Sequence, residues 1–255
     1  MYKVALFASY KPGIEVAKFL QKKNDIEVTM LYLTGRDEVN DKKIAGLLDL
    51  NKKKIFYGKT SYENKKHIDF FKKNNIDCLI TVFWPWILNE NIYKLAKKTI
   101  NFHPSLLPFY RGWYPHVHNI IEKTQSGVTL HELNKEADSG KIWVQKKVVS
   151  KPTDNAKDLY IRLQVEIVKL FKKNWDKIKN DKIVPFEQGT KKSKFKSKKD
   201  VEQYDHIDLN KKILTEDLIN ILRARSFGNR SFAYFSKGGK KVYINLTLRE
   251  SSYVE

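Results

Sequence analysis

Cysteine is almost absent from this 255-residue sequence, since Cys78 is the only one. A single cysteine excludes an intrachain disulfide, and the apolar run around it, IDCLITVF, predicts a buried, unreactive thiol. Long hydrophobic runs are also lacking: the longest, CLITVFWPWIL, is interrupted by Pro85 and is too short to cross a membrane. The N-terminal stretch MYKVALFASYKPG lacks the apolar core and cleavage pattern of a signal peptide. We therefore expect a cytoplasmic protein that does not bind membranes.

Arginine is scarce in an otherwise strongly basic chain. Seven of the 49 basic residues are arginine, and the formal net charge is +20. A basic surface attracts polyanions through counterion release, which keeps a nucleic-acid-binding module open as an alternative. Base readout and phosphate clamping favour arginine, however, and the lysines are spread along the whole chain. We interpret most of the charge as solvated surface, with the remainder available to attract a small anionic substrate, and we expect no nucleic acid as partner.

Two common site signatures are missing as well. The SYKPG turn after the first apolar run could offer Lys11 to an anion, but it lacks the glycine fingerprint of a dinucleotide site. His116 and His118 lie two residues apart without a cysteine or carboxylate that would complete a metal-binding set. We therefore expect neither a dinucleotide nor a metal.

The chain does contain the apolar residues that a folded core needs, at 41% of the sequence. Short apolar runs alternate with helical patterns, which is typical of a parallel sheet covered by helices on both faces. The sequence therefore predicts an α/β fold with a Rossmann-like open sheet. Strands are predicted at 3–9, 26–33, 53–58, 76–83, 99–102, 127–133 and 141–149. Helices are predicted near Pro12, from Ser61, at 90–98, after the capping residues Thr153 and Asp154, and at 215–225.

The C-terminal part has a different character. We predict a catalytic domain over residues 1–185 and a small appendage over 186–255. The basic, low-complexity stretch TKKSKFKSKKD (190–200) is interpreted as an exposed connector. In the appendage, Gly238 and Gly239 indicate the tight turn of a β-hairpin within residues 231–248.

The stretch NFHPSLLPFYRGWYP (101–115) carries more side-chain chemistry than a connection between two elements requires. Asn101 and His103 are two apart, so on a strand they project to the same side. The Asn101 amide can donate a hydrogen bond to an oxygen that becomes negative, and the His103 imidazole can donate to it or accept a proton. This pair suits acyl transfer through a tetrahedral intermediate. From the spacing alone, a core asparagine and histidine that bridge buried backbone remain an alternative.

Several motifs follow one another between Ile76 and Val148: N-x-H-P-S-L-L-P, an R-G after it, G-V-T-x-H and D-x-G-x-I. Their order and spacing resemble the formyltransferases that use N10-formyltetrahydrofolate. The resemblance implies the formyltransferase fold, this folate as formyl donor, and Asn101, His103 and Asp138 as catalytic residues. In that family the asparagine and histidine stabilise the oxyanion, while the aspartate orients the histidine and helps to move protons.

The same resemblance implies a loop that holds the pterin of the folate. Its residues are Phe83, Trp84, Pro85, Trp86 and Ile87, whose apolar side chains and backbone groups would accept a flat heterocycle. Core packing of the two tryptophans is the alternative. His131, in GVTLHEL, is interpreted as a structural histidine.

Within the family, two features resemble sugar N-formyltransferases: the continuation of the R-G turn as Trp113-Tyr114-Pro115, and the short tail with RARSFGNRSFAYF. This implies a nucleotide-linked aminosugar as substrate, either dTDP-4-amino-4,6-dideoxyglucose or the 3-amino isomer, for surface glycans such as O-antigen. Arg111, Trp113 and Tyr114 would bind the sugar nucleotide, and the hairpin would form a homodimer. Methionyl-tRNA formyltransferase is the alternative, favoured by the basic charge and disfavoured by the short tail. A hydrolase that merely deformylates the folate is a further one.

Overall fold

The computed structural model describes residues 1–59, 65–189 and 195–251. It contains two compact units, each made of several stretches of chain. Unit 1 comprises Met1–His103, Thr129–Gln145 and Ile167–Gly189; unit 2 comprises Pro104–Val128, Lys146–Glu166 and Thr190–Glu255. The division into consecutive domains at residue 185 stays a prediction.

A seven-stranded sheet has the strand order β3-β2-β1-β4-β5-β6-β7. The strands are β1 (Tyr2–Ala8), β2 (Ile26–Leu33), β3 (Ile55–Tyr57), β4 (Cys78–Val82), β5 (Lys98–His103), β6 (Gly127–His131) and β7 (Ile142–Lys147). The first five strands pair in parallel, whereas β6 runs antiparallel to β5. The predicted α/β fold with an open, Rossmann-like sheet is confirmed.

Eight helices accompany the strands in the described part of the chain. They are α1 (Tyr10–Gln21), α2 (Glu38–Leu48), α3 (Lys65–Asn74), α4 (Glu90–Tyr93), α5 (Pro115–Ile121), α6 (Ala156–Lys179), α7 (Lys199–Glu202) and α8 (Thr215–Ala224). Ser61, where a helix was predicted to begin, lies outside the described residues. The sequence did not predict α2, whose helically spaced apolar residues Ile44, Leu47 and Leu48 are confined to its C-terminal half and give only a short apolar pattern. Within the described ranges, no helix combines the length and apolar character needed to cross a bilayer.

The core of unit 1 covers both faces of the sheet. On one face Phe7 stacks on Tyr32 with ring centroids 4.1 Å apart. On the other, Phe102 contacts Phe171 at 5.1 Å. Strands buried on both faces read as continuous apolar runs, which explains their lack of alternation in the sequence. Cys78 is fully buried, as predicted, and burial raises the pKa of its thiol.

The long helix α6 begins one residue later than the predicted caps. Asn155 is the cap: its Oδ1 accepts hydrogen bonds from the backbone N–H groups of Lys157 at 2.8 Å and Asp158 at 3.2 Å. The Asp158 carboxylate accepts from the Asn155 N–H at 3.1 Å, which completes a capping box. Asp154 is instead buried and paired with Arg162. The sequence prediction of Thr153 and Asp154 as caps was therefore wrong.

Unit 2 contains the predicted hairpin, formed by β10 (Tyr234–Lys237) and β11 (Lys240–Tyr243), and a shorter one formed by β8 (Ser226–Phe227) and β9 (Arg230–Ser231). Gly238 and Gly239 connect β10 to β11 with φ angles of +56° and +72°. Two consecutive positive φ angles are the turn geometry that glycine permits, and the predicted hairpin turn is confirmed. Its strands are shorter than the range 231–248 suggested.

Candidate active site

Three neighbouring strands bring the polar side chains of the candidate site together in unit 1. Asn101 on β5 lies opposite Thr81 on β4 and opposite His131 on β6. His103 follows two residues after Asn101 at the end of β5, and Asp138 lies in the loop between β6 and β7. Strand register therefore decides which side chains surround Asn101.

The amide of Asn101 has hydrogen-bond partners on both of its ends. Its Oδ1 accepts from the Thr81 hydroxyl at 2.6 Å. Its Nδ2 lies 2.8 Å from His131 Nε2 and donates to Asp138 Oδ1 at 3.2 Å. The shorter contacts fix the plane of the amide, and the longer one directs a hydrogen toward the carboxylate.

The proton on His131 follows from its neighbours. Its Nδ1 lies 2.7 Å from the carbonyl oxygen of Glu132, which can only accept. In the neutral ring Nδ1 therefore carries the proton, and Nε2 accepts from Asn101. A flipped Asn101 amide would place its oxygen against two acceptors, Nε2 and the Asp138 carboxylate. His131 is 1% exposed and has a partner at both ring nitrogens, as expected of a structural histidine, but it also orients a candidate catalytic group.

Asp138 Oδ1 is close to the side chains of His103, His131 and Asn101. It lies 3.5 Å from His103 Nδ1 and 3.5 Å from His131 Nε2, in addition to its bond from Asn101. The side chains of His103 and Asp138 are 5% and 15% exposed. A carboxylate this close to a buried imidazole orients the ring. The arrangement can supply hydrogen-bond donors to a developing anion and a route for a proton.

The loop of residues 83–87 follows β4 in the same unit. Phe83 has a positive φ of +51°, and Trp84 packs edge-on against Phe7 at 5.2 Å. Trp84 also meets Trp86 edge-on at 5.0 Å, and the Arg36 guanidinium lies 4.6 Å from the Trp86 ring. Trp84 thus belongs partly to the core, which agrees with core packing as the alternative role of this tryptophan. Ile87 is 63% exposed.

Arg111, Trp113 and Tyr114 lie in a turn of unit 2. The turn is paired with Lys196, whose N–H donates to the Arg111 carbonyl and whose carbonyl accepts from the Trp113 N–H, both at 2.8 Å. Gly112 permits this pairing, since it has a φ of +95° and an added Cβ would lie 2.4 Å from the Lys196 carbonyl oxygen. Lys196 was predicted to lie in an exposed connector, but its backbone is hydrogen-bonded to this turn. Residues 190–194 of that predicted connector lie outside the described residues.

His116 and His118 are both buried on α5 of unit 2. The His116 ring lies 4.8 Å from the ring of Tyr160, and burial lowers the pKa of His116 to about 3. Over the described residues, no group of three or more histidine, cysteine or acidic side chains is arranged to hold a metal ion.

Two residues that touch the candidate site were not recognised in the sequence. Thr81 is a lone hydroxyl in an apolar strand, and only the pairing of β4 with β5 gives it a role. Gln188 donates to the backbone carbonyl oxygens of Asp138 and Gly140, both at 2.8 Å. It lies fifty residues along the chain from Asp138 and carries no local sequence signal.

Comparison with protein families gives two matches. Residues 20–173 match the formyl transferase family, and residues 200–250 match the N-formyltransferase dimerization C-terminal domain. The first match contains Asn101, His103 and Asp138 as well as Thr81 and His131. Gln188 lies between the two matched segments.

Individual relatives agree with the family match. The chain is 30% identical over 159 residues to dTDP-4-amino-4,6-dideoxyglucose formyltransferase of Mycobacterium tuberculosis, covering 62% of this chain and 68% of that protein. It is 31% identical over 191 residues to methionyl-tRNA formyltransferase of Sulfurihydrogenibium sp., covering 74% and 60%. Among solved structures, a 4-N formyltransferase from Francisella tularensis superposes with a TM-score of 0.85 at 25% identity, over 98% of this chain and 99% of that one. The protein therefore belongs to the formyltransferase family of enzymes, with sugar N-formyltransferases among its relatives.

Proposed function

We propose that this protein is a sugar N-formyltransferase that transfers a formyl group from N10-formyltetrahydrofolate to the 4-amino group of dTDP-4-amino-4,6-dideoxyglucose. The observation that carries the proposal is the end-to-end similarity to a 4-N formyltransferase, which covers 98% of this chain. The name of the Mycobacterium tuberculosis relative supports the choice of sugar. The product would be consumed by glycosyl transfer into a surface glycan such as O-antigen.

The residues of unit 1 suit this reaction. The sugar amine attacks the formyl carbon, a new C–N bond forms, and the bond from that carbon to N10 of the folate breaks. The carbonyl oxygen is negative in the tetrahedral intermediate, where donors from Asn101 and His103 stabilise it. The Asn101 hydrogen now directed at Asp138 over 3.2 Å is the one that can turn to this oxygen. Asp138 holds the His103 ring, and the proton lost by the amine ends on N10.

We propose separate roles for the remaining predicted residues. Phe83, Pro85, Trp86 and Ile87, together with the exposed edge of Trp84, accept the flat pterin of the folate. Arg111 supplies a cation for the pyrophosphate of the sugar nucleotide, and Trp113 and Tyr114 supply aromatic faces for its base or hexose. The excess of lysine raises the local concentration of this dianionic substrate.

We also propose a homodimer formed through the C-terminal region. The match of residues 200–250 to a dimerization domain supports it. So do the exposed apolar side chains Val242 and Tyr243 on β11, which are 41% and 57% exposed.

Mass spectrometry of the amine after incubation with N10-formyltetrahydrofolate tests the function. We expect a formyl gain on dTDP-4-amino-4,6-dideoxyglucose, little on the 3-amino isomer, and none on charged initiator tRNA. Formylation of the 3-amino isomer alone would show that the enzyme acts on the 3-amino group and not on the 4-amino group. Formylation of the tRNA would establish the alternative enzyme, and loss of formyl from the folate without an amine would indicate a hydrolase.

The variant His103→Ala tests the proposed catalytic role of this imidazole. We expect it to remain folded and to lose about a hundredfold or more in kcat, since it removes a preorganised donor to the oxyanion. Full activity in this variant would contradict the proposed roles of the site.

A further inference from the structure

The backbone at Asp138 adopts a conformation that a non-glycine residue rarely takes. Its φ is +54°, in the left-handed region. Two residues later, an added Cβ at Gly140 would lie 1.9 Å from the Glu132 carbonyl oxygen, so the turn packs tightly against the start of its own loop. A turn of this kind requires partners that hold it in place.

The chain segment after α6 returns to this turn. Phe186 exchanges two backbone hydrogen bonds with Ile142, the first residue of β7: Ile142 N–H donates to Phe186 O at 2.8 Å and Phe186 N–H to Ile142 O at 3.0 Å. This bridge positions Gln188 beside the loop between β6 and β7.

Gln188 uses both hydrogens of its carboxamide on this turn. Nε2 donates to the backbone oxygens of Asp138 and Gly140, each at 2.8 Å. A primary amide is suited to this position because it offers two donors on one atom, whereas a carboxylate would face two carbonyl oxygens with negative charge. The two bonds connect the residues on either side of Ser139.

We propose that Gln188 is a positioning residue for formyl transfer, because it holds the Asp138–Gly140 turn and thereby holds the Asp138 carboxylate against His103 and Asn101. The kinetic part of this inference rests on the proposed function. Displacement of a carboxylate that lies 3.5 Å from His103 Nδ1 would disturb the chemical step more than substrate binding.

Two variants of Gln188 and one neighbouring control test the inference. Gln188→Met keeps a side chain of similar length and removes both donors. Gln188→Glu replaces the NH₂ group with a negative oxygen. Gly189→Glu adds the same charge at the next residue, where an added Cβ meets nothing within 4 Å. We expect about a tenfold loss of kcat in both Gln188 variants, with KM for either substrate changed less than about twofold, and no such loss in Gly189→Glu.

Amide hydrogen exchange gives a readout that needs no substrate. The Ser139 N–H donates to Glu136 O at 3.3 Å inside the turn. We expect Gln188→Met to speed exchange in residues 134–141 by about tenfold, with no change in Gly189→Glu. In the double variant Asp138→Asn/Gln188→Met, kcat should equal that of Asp138→Asn alone, because both changes act on the same group.

Unchanged exchange in Gln188→Met, a raised KM with intact kcat, or additive losses in the double variant would each overturn the inference. A wild-type enzyme that formylates no sugar nucleotide would overturn the proposed function instead. In that case the exchange measurement still decides whether Gln188 holds the turn.

Discussion

At the scale of single residues, the direction in which Asn101 donates depends on two neighbouring side chains, Thr81 and His131. The Thr81 hydroxyl donates a hydrogen bond to the amide oxygen, and His131 Nε2 accepts one of the amide hydrogens. An asparagine side chain can rotate by half a turn at little steric cost, so its orientation depends on such partners. The proton on His131 Nδ1 is in turn set by the Glu132 carbonyl.

Thr81→Val should reduce kcat by about tenfold, because the isosteric change leaves the Asn101 amide oxygen without its donor. Thr81→Ser, which keeps the hydroxyl, should restore most of this loss. Steady-state kinetics with the sugar nucleotide measures both variants. Thr99→Val is the matched control: it removes a buried hydroxyl that accepts from Leu133 N–H at 2.8 Å, away from the Asn101 amide. If it reduces kcat as much as Thr81→Val, orientation of the amide is not the cause.

At the scale of elements, the start of α6 shows how a cap is chosen. Thr153, Asp154 and Asn155 are all residue types that cap helices. Arg162, in the second turn of α6, donates a hydrogen bond to the Asp154 carboxylate at 2.7 Å. The carboxylate is therefore not free to accept from the first N–H groups of the helix. The choice therefore depends on a side chain eight residues from Asp154, which the capping residue types alone do not reveal.

Asn155→Ala should lower the free energy of unfolding by about 1 kcal/mol, since the N–H groups of Lys157 and Asp158 lose their acceptor. Denaturant titration measures the effect. Thr153→Ala should change the stability by less than about 0.5 kcal/mol. Equal losses in the two variants would contradict the assignment of Asn155 as the cap.

Helix α5 carries a buried histidine, His116, which should make the stability of the protein sensitive to acid. Burial, together with the charges of His118 and Arg225, lowers the pKa of His116 from 6.5 to about 3. Between these pH values the unfolded chain binds a proton that the folded chain does not, so the free energy of unfolding falls as the pH is lowered from 6.5. His118 and His67 also have lowered pKa values and act in the same direction.

His116→Gln should flatten this dependence between pH 6.5 and about 5.5, where carboxylates with ordinary pKa values are still mostly ionised. Urea unfolding at several pH values in this window measures the slope. His206→Gln, at an exposed histidine, should leave the slope as it is in the wild type. A His116→Gln protein that loses stability as steeply as the wild type would refute the assignment.

At the scale of the whole molecule, the proposed dimer has a direct test. Light scattering should give a mass near twice the 30.0 kDa of one chain. Val242→Glu with Tyr243→Glu should produce a monomer, because two charges on β11 would have to be buried in the interface. Val165→Glu, at a residue that is 46% exposed on α6, is the control and should stay dimeric. If the β11 double variant and the Val165→Glu control are both monomeric, the loss of the dimer is not specific to β11 and the interface lies elsewhere.

Much of the molecule was predictable from its sequence. The parallel α/β pattern follows from apolar runs that are buried on both faces, and the hairpin turn follows from two glycines that permit positive φ. The motifs around Asn101, His103 and Asp138 identified the family because their order and spacing are local properties of the chain. These features depend on residues close together in the chain, so they can be predicted without knowledge of the folded structure.

Which side chains assist the candidate catalytic residues depends on how the strands and loops come together in the folded protein. Thr81 contacts Asn101 through strand register, His131 contacts it across an antiparallel pair, and Gln188 contacts the Asp138 turn from fifty positions further along the chain. The antiparallel pairing of β6 with β5 also joins residues that are distant in the chain. Contacts between residues far apart in the chain leave no periodic or local signal, so they appear only when the sheet is assembled.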